Sequence, residues 1–171
     1  FEDRMVTAED HSWFKELLSQ QLTKHFASDW AKIIPNDPVV YGDYMDPGAD
    51  PRIYDEVPDM DKLKEVIEEY LADHNATSKS PMPLVMFMDA IRHVSCIARI
   101  LRQPGGNALL LGIGGSGRQS MTKLATYIMG YQLFQVKIIK GYGVTEWRDD
   151  VRNVLLMAGL KDKPTTFLFN D

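Results

Sequence analysis

The chain has 171 residues, 44 % of them hydrophobic and 25 % charged, with a formal net charge of −5 at pH 7, an ordinary composition for one globular domain, or one domain and part of another. No apolar run approaches the roughly 20 residues that span a bilayer, and residues 1–10 (FEDRMVTAED) lack both the basic region and the apolar core of a signal peptide. The single cysteine, Cys96, excludes an intrachain disulfide, suits a reducing compartment and reads as a buried structural thiol.

In chain order, residues 9–26 carry Trp13, Phe14, Leu17, Leu18, Leu22 and Phe26 at helical spacing, with Thr7 placed to cap the helix. Residues 34–58 hold Pro35, Pro38, Pro47, Pro51 and Pro58 with Gly42 and Gly48, which predicts an irregular connector anchored by Tyr41, Tyr44 and Tyr54. Its length places a module boundary nearby. A second helix is predicted over 59–71, with Asp59 as its N-cap. A polar break over 73–83 follows, and then a third helix over 84–101. The methionines of 82–88 read as core filler. His11, His25, His74 and His93 show no metal-ligand spacing.

From residue 107 the rhythm becomes strand, helix, strand, helix, strand. Strands are predicted over 108–111, 134–139 and 165–169, and helices over 117–129 and 145–158, the last closed by Gly159. Trp147, near the start of that last helix, is expected to staple it to the sheet. Alternation of this kind implies a parallel sheet with right-handed crossovers, an α/β class. Such a sheet needs cover on both faces, so three strands read as part of a larger domain. The expected organisation is a helical segment over 1–30, connector and helix over 31–80, and the α/β core over 81–171.

Charge follows the same division: residues 1–80 hold 18 acidic and 8 basic side chains, a net of −10, and residues 81–171 hold 6 and 11, a net of +5. A basic half suits a polyphosphate ligand, while the absence of arginine-rich runs or aromatic–basic interleaving speaks against nucleic acid.

The chemistry concentrates in residues 108–120, ALLLGIGGSGRQS, where an apolar run meets a loop with four glycines and then a helical pattern. Glycines let the backbone approach an anion, successive N–H groups point at it, and the helix dipole favours negative charge. Against the P-loop pattern G-x-x-x-x-G-K-[ST], Gly112 and Gly117 fit, but Arg118 replaces the lysine and Gln119 the hydroxyl residue. The expected phosphate cradle is Gly112, Ile113, Gly114, Gly115, Ser116, Gly117, Arg118, Gln119 and Ser120. The last strand, TFLFND, ends in Asn170 and Asp171, where an Asp-Glu pair would hold Mg²⁺ and polarise water. Gln119, Ser120 and Asn170 are thus the candidate metal positions and Asp171 the degenerate catalytic one. Four departures together predict binding with little or no hydrolysis. The same loop also satisfies G-x-G-x-x-G, but the second strand offers Lys137 and Lys140 in place of the ribose-binding acid of a dinucleotide site, which at most suggests NADP. A vestigial loop on an interaction scaffold is the other alternative. The Met-rich stretch 82–88, one helix ahead of the loop, is also a candidate frame for an adenine ring.

The runs RILRQPGGNALLLGIGGSGRQSMTKLA and KGYGVTEWRDDVRNVLLMAGLKDKPTTFLFND, with VMFMDAIRHVSCIARI and YGDYMDPGADPRIYDEV upstream, resemble the fourth AAA+ module of an axonemal dynein heavy chain. The likeness covers nearly the whole chain, with residues 1–26 resembling the tail of the third module. It implies a P-loop AAA+ fold, Gly112–Ser120 as the nucleotide loop, Pro83, Leu84 and Val85 near the adenine, and ATP or ADP with Mg²⁺ as ligand. It implies a regulatory rather than driving role in a microtubule motor of the cilium or flagellum. The implied partners are other AAA+ modules of the same chain, intermediate and light chains, and microtubules contacted elsewhere, with no nucleic acid and no membrane.

Overall fold

A computed structural model describes residues 5–34 and 39–170, so Asp171, Pro35 and Pro38 lie outside the described residues. The chain divides into two units, Phe1–Val39 and Val40–Asp171.

The first unit holds α1 (Ala8–Phe26) and the single turn α2 (Trp30–Ile33). The Thr7 hydroxyl accepts the Asp10 N–H at 3.1 Å, as its position before the apolar stripe predicts. No residue of α1 is buried, and Trp13 and Phe26 are mostly exposed.

In the second unit the proline-rich connector is ordered by side chains more than by ladder. Two-residue strands β1 (Tyr41–Gly42) and β2 (Asp55–Glu56) pair antiparallel. Tyr44 is buried and donates its hydroxyl to Ser95 Oγ at 2.7 Å. Tyr41 and Tyr54 stack on each other at 6.0 Å. Arg102 binds Asp43 at 2.7 Å and lies 4.7 Å from the Tyr54 ring centroid.

Helix α3 (Met60–Thr77) begins at Asp59, whose carboxylate accepts the N–H groups of Asp61 and Lys62, both at 3.0 Å. It runs six residues past the predicted end at Leu71, through the expected polar break. The added turns are held at the edge of the core: His74 meets the Tyr127 ring edge-on at 5.2 Å, and Asn75 accepts the Met82 N–H at 2.7 Å and donates to its carbonyl at 3.0 Å. Helix α4 (Met88–Arg102) starts four residues later than predicted. Pro83 disfavours helical backbone at the residue before it, and Met82 and Met86 point into the core while Pro83, Val85 and Phe87 face outward. Met82 and Met86 are core filler, as expected.

Helix α5 (Arg118–Ile128), strand β3 (Gln132–Gln135), helix α6 (Val144–Leu155), a π-helical turn (Leu156–Leu160) and strand β4 (Thr165–Leu168) follow. At the end of α5, Arg52 donates to the Ile128 carbonyl at 2.7 Å, satisfying a C=O that has no partner within the helix. Strands β3 and β4 are parallel, from Gln132 opposite Thr165 to Gln135 opposite Leu168, with α6 between them in sequence. This is the predicted α/β alternation, with three corrections. Residues 108–111 form no ladder among the described residues, although Leu110 packs on the core while Leu109 and Leu111 point away. Chain neighbours are not obliged to be sheet neighbours. Strand β3 begins two residues before the predicted start at Phe134 and ends four before the predicted end at Ile139, because its register is set by β4 rather than by its own apolar run. Gly159 lies inside the π turn instead of ending α6.

The core lies between helices. Leu63 and Ile67 of α3, Ile91 and Val94 of α4, and Leu124 and Ile128 of α5 are fully enclosed. Trp147 on α6 meets Phe167 at 6.0 Å and Phe169 at 5.7 Å, the expected staple between helix and β4.

Candidate phosphate-binding site

Leu110 is anchored on the core immediately before the loop, and α5 is anchored immediately after it by Leu124, Ala125 and Ile128. Residues 112–117 are therefore suspended between two fixed points. Gly115 has φ +81° and Gly117 φ +77°, left-handed values that a side chain resists. A β-carbon on Gly112 would approach Ser116 Oγ to 3.0 Å, whereas one on Gly114 would meet nothing within 4 Å. The Ser116 N–H closes a turn on the Ile113 carbonyl at 3.3 Å. The N–H groups of Gly114, Gly115 and Gly117 have no main-chain partner among the described residues. Open amides at the start of an eleven-residue helix are what an anion requires.

Arg118, the first residue of α5, folds back on this loop. Its guanidinium donates to the Leu110 carbonyl at 3.4 Å and to the Ile113 carbonyl at 3.3 Å. Both bonds are long, and the guanidinium carries the loop's only formal charge. Beside the loop, a groove of ≈ 390 Å³ is lined by Phe87, Ala90, Ile97, Leu111, Gly112 and Arg118 among others. Its size falls in the range of small-molecule sites. Pro83, Leu84 and Val85 do not line it. Leu84 packs on the core and the other two are exposed.

Asn170, the candidate metal position beyond β4, joins α5 through a residue the sequence did not single out. Gln135, the last residue of β3, donates from Nε2 to Gln119 Oε1 and to Asn170 Oδ1, each at 3.1 Å. Gln119 on α5 and Asn170 beyond β4 are thereby linked. Ser120, one step along α5, is half-buried. The only available signal was positional, since ligand sites in parallel sheets gather at the C-terminal ends of strands. That same position speaks against a dinucleotide site, because β3 ends on a neutral amide with no acid for a ribose. Among the described residues no group of three or more His, Cys, Asp or Glu side chains is placed to hold a metal ion, and no helix is long and apolar enough to cross a membrane.

Glycine loop, helix and parallel strands define a P-loop α/β domain. The family described as "P-loop containing dynein motor region D4" matches residues 82–171. The whole chain is 48 % identical over 171 residues to dynein axonemal heavy chain 1 of Mus musculus and to that of Homo sapiens, and 44 % identical over 175 residues to dynein axonemal heavy chain 6 of Homo sapiens. The chain belongs to the axonemal dynein heavy chains, and its residues 82–171 to their P-loop D4 motor region. It spans about 4 % of the length of these relatives.

Proposed function

We propose that this chain supplies the nucleotide loop of a regulatory AAA+ module in the motor ring of a dynein heavy chain, holding ATP or ADP with little or no hydrolysis. The parent molecule is a microtubule motor of the ciliary or flagellar axoneme. Residues 1–30 are the helical tail of the preceding module. Its partners are the other AAA+ modules of the same chain, the intermediate and light chains, and microtubules contacted by other parts of the protein.

One observation supports the reading above others: an open glycine loop runs into α5 while the positions that would drive hydrolysis carry neutral amides, Gln119 and Asn170. The loop amides and the Arg118 guanidinium hold the phosphates. Pro83, Leu84 and Val85 are the proposed contacts of the adenine; Pro83 and Val85 are apolar and solvent-facing, and Leu84 packs on the core. Asp171 occupies the position of the group that polarises the attacking water, and it is one methylene shorter than the glutamate that position ordinarily holds.

The test is Gly115→Asp in the intact heavy chain. An aspartate at φ +81° strains the loop and sets a negative charge where phosphate belongs. Denaturing the purified protein and separating the released nucleotides should show a loss of about one equivalent of ATP or ADP per heavy chain. Unchanged release would sink the reading, and NADP in the released pool would point to the dinucleotide alternative.

A further inference from the structure

The residues expected to place a divalent cation are a poor donor set for one. Mg²⁺ demands near-octahedral oxygen coordination and is ordinarily bound through one or two carboxylates with phosphate and water. In P-loop proteins it is held between the loop's hydroxyl residue and an aspartate at the end of a later strand. Here those two positions are Gln119 and Asn170, both neutral, and the third candidate, Ser120, adds only an uncharged hydroxyl one residue further along α5. The side-chain oxygens of Gln119 and Asn170 each already accept one hydrogen of the one Gln135 amide at 3.1 Å. An amide NH₂ has two hydrogens, so this bridge uses its full donor capacity. It spans 16 residues of chain to the loop side and 35 to the strand side, making the link that a metal would otherwise make.

We infer that the Gln135 amide takes the structural place of the divalent cation, and that this site takes up nucleotide without requiring a metal. The inference rests on the nucleotide reading above. Two consequences follow from charge. An amide contributes no net positive charge, so the only compensation within the loop falls to Arg118. Removing Mg²⁺ leaves the bridge intact, so affinity should not depend on it.

The probe is 8-azido-ATP, photolysed on the intact heavy chain in excess Mg²⁺ or in EDTA, with labelled peptides from residues 81–171 quantified after digestion. Labelling should agree within about twofold between the two conditions, a difference of under half a kcal/mol. Label that needs Mg²⁺ overturns the inference and leaves the nucleotide reading standing. Label in neither condition overturns both. Asn170→Asp, nearly isosteric, restores a carboxylate and should make labelling respond to Mg²⁺ by about tenfold. Gln135→Leu removes both donors and should cut labelling in EDTA several-fold. A Gln135→Leu chain that labels like wild type in EDTA would show that the bridge is not what frees the site from the metal.

Discussion

Tyr44 illustrates what one side chain does for a segment with little ladder of its own. Its ring is buried and its hydroxyl meets Ser95 Oγ at 2.7 Å, tying the connector to α4. Burial pushes the hydroxyl up to about 12 from its ordinary 10.0, with the Ser95 bond opposing that shift and nearby acidic groups adding to it. A folded-state pKa above the unfolded one means the contribution is complete below pH 10 and is lost as pH rises from 10 towards 12. The loss approaches roughly 2–3 kcal/mol, two pKa units at about 1.4 each. Tyr44→Phe should cost about 1 kcal/mol at neutral pH through the hydrogen bond and flatten the alkaline limb. Urea unfolding across pH 8 to 12 checks this, and an unchanged alkaline drop in the variant would refute it. Arg118 and Gln119 were legible because they break a short fixed pattern. Gln135 was not, because a glutamine in FQVKII carries no mark until β3 and β4 pair and bring it to Asn170.

At the scale of elements, the caps of α1 and α3 are legible in local chemistry, while several helix limits and the strand limits are not. Thr7 and Asp59 announce helix starts by local chemistry, and both caps are made. Asp59→Ala should lower stability by about 1 kcal/mol and Asp59→Asn by far less, since asparagine caps equally well. The urea midpoints of the two variants decide it, and equal losses would mean that the carboxylate acts otherwise than as a cap. The end of α3 was misread because its last turns are polar. They are held by contacts with Tyr127 and with the Met82 backbone, which no window of sequence displays. Helix α6 opens with the Glu146 carboxylate accepting the Gly143 N–H at 2.8 Å, and backbone N–H donors hold that carboxyl below its usual range. Its far end relaxes into a π turn, where the pattern suggested a glycine stop.

At the scale of the molecule, the second unit is a helical core with a small parallel sheet beside it. Connector, α3, α4 and α5 share that core, so the loop is braced by residues far upstream of it. Ile91, with no exposed surface, lies within this shared core. Ile91→Ala should cost about 2–5 kcal/mol, the range for a buried large-to-small change that leaves a cavity. Unfolding followed by both circular dichroism and tryptophan fluorescence measures it. A loss below 1 kcal/mol would mean that the core repacks freely.

Three things are legible in sequence alone: the glycine loop with its departures at Arg118 and Gln119, the presence of the second unit's helices and the α/β alternation. Each rests on interactions within a few residues, such as glycine conformations, caps and apolar spacing, so a short window contains its cause. Tertiary structure alone decided three others: the Gln119–Gln135–Asn170 bridge, the ordering of the connector and the lack, among the described residues, of a ladder partner for residues 108–111. The first two depend on partners 16 to 76 residues apart. The third depends on which strands become neighbours in the sheet, and that choice is made by packing.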